Sequence, residues 1–261
     1  MATGDSENEK IDYQVAVNPK GEFEIWDPSG AKIQNLNPPI KISESNAANS
    51  VIQRLVHLAK YNNVLELDNH DSQSPLARKL VVDLFGLQSN FEFGDQPELQ
   101  QLPPSLESGN VNSFKEGTFI ALRIQNNSSQ VLNCAIIDCQ PDKGISQTYP
   151  RASDFVPLDP GKSEIIPLKV SLPQGYEEGR DVIKVFATVG PTNFRWLELP
   201  ALDQPLSTKG GTRSIGGTKN PLEELMAKMS EDIPKTRNVD TVPAASYEWT
   251  TSQIEIKIQN K

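Results

Sequence analysis

The pair Asp138-Cys139 closes an apolar run, and two histidines, His57 and His70, lie upstream of it. A cysteine that follows a strand and is served by an imidazole from earlier in the chain is the layout of a cysteine peptidase, in which a thiolate attacks a carbonyl. The neighbouring residues do not suit that chemistry. Neither histidine is followed by glycine, no Asp-x-Cys occurs, and Gln140-Pro141 stands where small residues would leave an oxyanion site open. Cys139 therefore reads as a small buried hydrophobe in a strand. The rival, a cysteine peptidase using Cys139 with His57 or His70, is decided by whether Cys139→Ala abolishes turnover.

Other reactive-looking groupings have plainer readings. Asp68-Asn69-His70-Asp71 collects three ligand types, but they are consecutive, whereas a metal draws its ligands from separated positions. A solvated turn before Ser74-Pro75 fits better. His57 sits among Val56, Leu58 and Ala59 and reads as a packed or rim histidine. The stretch Gly211 to Lys219 has the glycines of a phosphate loop without its Gly-Lys-Ser/Thr order or a feeding strand. Asn126-Asn127-Ser128-Ser129 contains two overlapping glycosylation sequons and reads as a hairpin turn. No catalytic residue, metal ligand or cofactor site is assigned.

Two groups are candidates for a partner surface: Phe194, Arg195 and Trp196, and the face made by Leu222, Leu225, Met226 and Met229. Aromatic, Arg and Met side chains are enriched at interface cores. The same patterns are what a protein's own core requires, and packing on the chain's own sandwich is the preferred reading of both.

The elements that must position these residues follow from periodicity. Residues 1–10 read as a disordered leader. Tyr13, Val15 and Val17, the turn Asn18-Pro19-Lys20-Gly21, then Phe23 and Ile25 predict a β-hairpin. After Ser43 or Ser45 as cap, Ala47, Val51, Leu55, Leu58 and Ala59 recur at helical spacing, with a stop expected near Tyr61-Asn62-Asn63 and a short strand at Val64 to Leu67. A strand is expected from Lys79 to Leu87, closing an N-terminal α+β module over 11–88, and the Pro- and Gly-bearing 89–112 reads as a linker.

Over 113–206, strands are predicted at 118–125, 131–139, 145–149, 163–172 and 181–189, with turn residues between them and one more strand or edge around Phe194 to Leu199. That spacing predicts an antiparallel Ig-like β-sandwich. Residues 207–219 read as a flexible basic Gly-rich linker, and 220–261 as an amphipathic helix followed by a strand at Ile254, Ile256 and Ile258 that returns to a sheet. The fold class is α+β, mainly β.

Composition bounds the function. A net charge of -9 argues against a nucleic-acid partner, which would need clustered Lys and Arg. No run of about 18 apolar residues predicts a membrane span, and two cysteines are too few for a disulfide scaffold, so a reducing cytoplasm is expected.

Longer phrases carry a resemblance. HLAKYNNVLELDN, GISQTYP, FVPLDPGKSEIIPLKVSLPQGYEEGRDVIKVFATVG and NFRWLELPALDQP resemble the C-terminal, non-peptidase region of cyanobacterial-type caspase-like proteins, the orthocaspases of the metacaspase group. The segment from Phe114 to Thr188 resembles the all-β domain that bacteria append to caspase-like peptidases and to some protein kinases. The resemblance implies a non-catalytic accessory or regulatory protein, because the family's His-Gly and Asp-x-Cys motifs belong to a preceding domain and do not occur here. It implies a caspase-like peptidase or another signalling domain as partner, in cis or in trans. A basic-specific peptidase of that kind would cut first at Lys209, Arg213 and Lys219, in the most accessible stretch. A sandwich that binds carbohydrate or peptide through Phe194, Trp196 or Tyr149 is the remaining alternative.

Overall fold

The computed structural model describes residues 12–34, 36, 38–69, 71–87, 91–92, 97–98, 102–106, 111–204, 222, 225, 226, 229 and 248–260. The expected leader, the basic Gly-rich linker with Lys209, Arg213 and Lys219, and His70 lie outside the described residues.

The chain opens with the predicted hairpin, β1 (Gln14–Val17) against β2 (Phe23–Trp26). Gly21 closes its turn at φ +75, a left-handed conformation that glycine adopts without a Cβ clash. Helix α1 (Ala47–Glu66) follows, flanked by Asn46 rather than the expected Ser43 or Ser45. It also overruns the expected stop. Asn62 and Asn63 stay helical, and Val64, predicted to start a strand, is fully buried on the helix face that carries Tyr61. The gain from burying that last turn outweighs the local turn preference of the asparagines.

Nine further strands build two sheets: β3 (Leu80–Gly86), β4 (Asn112–Lys115), β5 (Phe119–Asn126), β6 (Leu132–Cys139), β7 (Ile145–Tyr149), β8 (Val156–Leu158), β9 (Ser163–Lys169), β10 (Glu178–Thr188) and β11 (Trp249–Gln259). A three-stranded sheet has the order β3-β5-β9, and a six-stranded sheet the order β4-β11-β10-β6-β7 with β8 beside β7 on β6. They pack face to face over Leu84, Ile120, Leu122, Ile136, Val185 and Ile256, which makes the protein a mainly-β α+β fold built on an Ig-like sandwich. The returning C-terminal strand is present and pairs with β10 along its whole length.

The six-stranded sheet is covered on its other face too. Tyr61 and Val64 of α1, Phe194 and Leu197, and the helical residues Leu222, Leu225, Met226 and Met229 pack there on Ala135, Ile137, Cys139, Phe186 and Trp249. Phe186 stacks between Phe194, with centroids 5.2 Å apart, and Trp249, at 6.4 Å. Burial on both faces explains why β6 reads as a continuous apolar run rather than an alternation.

Three features refine the sequence reading. Whether the parts on either side of 89–112 share one core was open from the sequence, and β3 from the N-terminal side pairs with β5 over seven positions and supplies Leu80 and Leu84 to the sandwich. The region also contains the start of β4, which pairs in parallel with β11. Of the strand or core-covering edge expected around Phe194 to Leu199, the second is present: a 3-10 turn, Phe194–Leu197, capped by the Asn193 side chain, covers the core, and Leu199 bridges to Ile145.

Candidate functional site

The residues weighed as a partner surface take the preferred reading, packing on the chain's own core, and are withdrawn as partner candidates. Phe194, Leu222 and Met226 are fully buried, and Leu225 and Met229 nearly so, in the core beneath α1, so these five side chains are unavailable to another protein. Trp196 is half-buried against the same core. Arg195 is engaged internally: its guanidinium donates to the carbonyl of Arg151 at 2.7 Å and of Pro150 at 3.3 Å, and pairs with Glu198 at 3.3 Å. It shapes the loop after β7.

Cys139 is fully buried, and burial pushes its thiol up to about 12, opposite to the lowered values of reactive cysteines. His57 is buried as well, and desolvation lowers its pKa. Its Nε2 lies 2.8 Å from the carbonyl oxygen of Lys143, which can only accept, so the ring donates from Nε2. Tyr61 donates to the carbonyl of Gln140 at 3.0 Å. The helix thus clamps the β6–β7 turn, in which the Asp142 carboxylate accepts from the Gly144 amide at 2.9 Å.

That turn forms one wall of a cavity of about 740 Å³. The cavity opens where β7 and β9 lie in different sheets and so do not pair. Its floor is the inner face of the six-stranded sheet at Asp138, Asp181, Ile183 and Ile256. Ile166, Leu168 and Leu172 from β9 and its extension, with Phe119, give it an apolar collar. Tyr149 ties the mouth, donating to Glu164 at 2.6 Å from β7 across to β9. β9 carries Pro167, which cannot donate a ladder hydrogen bond and discourages strand addition at that edge. Gly179 lets the wall close up: a Cβ there would stand 2.7 Å from Pro141.

The floor carries two acids, neither of which has an ion pair among the described residues. Ile183 faces Asp138 in the β10–β6 register, so Asp181 is its diagonal neighbour on the same face, roughly 7 Å away between Cβ atoms. Asp181 is 7% exposed, and one oxygen of each carboxylate, Oδ1, is buried with no hydrogen-bond partner. The other Asp138 oxygen accepts from Gln140 at 3.3 Å. Burial raises both pKa values, and the charges of Asp138 and Asp142 raise that of Asp181 further. Such a floor has unused hydrogen-bond capacity and disfavours ionisation in the absence of a cation.

Sequence reasoning named Asp138 only as the neighbour of Cys139 and passed over Asp181. The signal was the strand period: Cys134, Ile136 and Asp138 share one face, as do Asp181, Ile183 and Val185, so each acid continues an apolar row. Tyr149, expected in a ligand groove, does line the cavity, whereas Phe194 does not.

Among the described residues, no group of three or more His, Cys, Asp or Glu could hold a metal ion, and no helix is long and apolar enough to cross a membrane. No family model matches the chain, and no curated protein does. Among solved structures, the ASH/PapD-like domain 7 of human CEP192 is similar at 9% identity and a TM-score of 0.31, covering 75% of this chain and 94% of that one. A hemolymph-type prophenoloxidase from a crustacean is similar at 10% identity and a TM-score of 0.25, covering 70% of this chain and 34% of that one. Likenesses this distant bear no argument about function, and the sandwich rests on the strand pairing itself.

Proposed function

We propose that this chain is a non-catalytic, partner-binding β-sandwich that serves as an accessory or regulatory unit of a caspase-like cysteine peptidase, in cis or in trans. The observation that carries the binding role is the cavity between β7 and β9, an apolar-collared opening whose floor carries two acids with unpartnered oxygens. The link to a caspase-like peptidase is supported by the resemblance of the four long phrases and of the segment from Phe114 to Thr188. The protonated, buried Cys139 supports leaving catalysis to another domain, and two free cysteines fit a reducing cytoplasm.

Affinity capture from source-cell lysate with the full chain tests this reading. A caspase-like peptidase is expected among the proteins recovered, and a charge in the collar, Leu168→Asp, is expected to reduce its recovery. Capture of no caspase-like or signalling protein above background would overturn the reading. An immunoblot of native lysate separates the two arrangements: a band near 28.8 kDa indicates action in trans, and a much larger band action in cis.

A further inference from the structure

We infer that the Asp138–Asp181 floor of this cavity binds the guanidinium of an arginine side chain presented by a partner polypeptide. The inference rests on the proposed partner-binding role of the cavity and names the chemistry that fills it.

Three observations lead to it. A carboxylate oxygen buried with no partner is destabilising, and here two occur on adjacent strands of one face, in residues that line a cavity large enough to admit a side chain. Neither carboxylate has an ion pair among the described residues, and burial favours their protonated forms, so full ionisation of the pair needs a cation from outside. The approach to it is apolar, lined by Ile166, Leu168, Leu172 and Phe119, which suits the methylene stem of a long cationic side chain better than a hydrated ion.

Arginine fits better than lysine. The two free oxygens belong to diagonal neighbours, and a planar guanidinium presents several donors in a fixed fork, whereas an ammonium is a compact and strongly hydrated point charge. The Gln140 amide donates to Oδ2 of Asp138, which leaves Oδ1 of that residue, like Oδ1 of Asp181, without a partner. Asp142 in the β6–β7 turn adds negative charge on the same side. Arg151 and Lys169 also belong to the lining, but both are exposed, and water and salt screen them far more than the floor.

The experiment is a calorimetric and NMR titration of the full chain with acetyl-Ala-Arg-Ala-amide, beside its lysine and citrulline counterparts. Saturable binding of the arginine peptide is expected, about tenfold or more weaker in Asp181→Asn and in Asp138→Asn, with the neutral citrulline peptide not binding. Asp181→Asn keeps shape and removes charge, and its thermal unfolding, recorded alongside, establishes that the variant is folded. Absence of saturation up to about 10 mM peptide, or equal affinity in wild type and Asp181→Asn, overturns the inference. So does displacement of the peptide by calcium, which assigns the floor to a metal ion, or Asp181-dependent self-association, which assigns it to a second copy. Capture of a caspase-like peptidase together with a failed peptide titration would leave the proposed function standing without this site. A successful titration with no captured partner would do the reverse.

Discussion

Asp138 and Asp181 destabilise the fold that carries them. Each carboxyl titrates above its ordinary value of 3.8 when folded, so the folded chain holds these protons more tightly than the unfolded one. Their contribution is most favourable below about pH 4 and is lost as pH rises through the folded values. Asp181→Asn is therefore expected to raise stability by roughly 1 kcal/mol or more at neutral pH and to flatten the fall in stability from acid to neutral pH. Urea unfolding of both proteins at about pH 5 and about pH 7.5 checks this, and identical pH profiles would contradict it. A residue that weakens the fold without an internal partner is the expected mark of a binding role.

Lys184 has the opposite sign and a structural task. It is almost wholly buried and donates at 2.8 Å to both the Leu65 and Leu67 carbonyls, which satisfies the exposed end of α1. Burial lowers its pKa to about 8 from 10.5. A lysine depressed in the folded state destabilises fully below the folded value and is relieved as pH rises through the window from about 8 to about 10.5. The stability of wild type relative to Lys184→Met is thus expected to improve across that window. A difference independent of pH, measured by denaturant unfolding of both proteins, would refute it.

At the scale of elements, the hairpin, α1 and most strands were legible because period 2 and period 3.6 separate cleanly in windows such as Ile254 to Ile258 and Ala47 to Ala59. The short strands β4 and β8 were not, since four and three residues hold too little pattern and owe their state to pairing with β11 and β6. The apolar face of Leu222, Leu225, Met226 and Met229 was legible as a helix face with its own sandwich as the preferred destination, but which sheet face it covers was not. Its burial under α1 makes Met226→Ala expected to lose about 2–5 kcal/mol in chemical denaturation. Ile52→Ala, at a position 55% exposed on α1, is expected to change stability by less than about 0.5 kcal/mol. Equal effects of the two would contradict the layer described.

At the scale of the molecule, the sandwich draws on both ends of the chain, with β3 at one edge and β11 inside the six-stranded sheet. A fragment beginning at residue 113 lacks β3 and α1, exposing one edge of β5 and part of a covered sheet face. It is expected to unfold broadly or aggregate, whereas the full chain is expected to show one cooperative transition by calorimetry.

What the sequence by itself determined was the class: a mainly-β chain with one long helix, a returning last strand and an acidic surface. Side-chain period, turn residues and charge are local quantities, so they can be read without the fold. Only the tertiary structure decided that the six-stranded sheet is buried twice, that the candidate partner residues are core, and that Asp138 and Asp181 meet on one floor. Those facts depend on which strands become neighbours. Asp138 and Asp181 are far apart in sequence, and register alone brings them to diagonal positions at the open side of the sandwich.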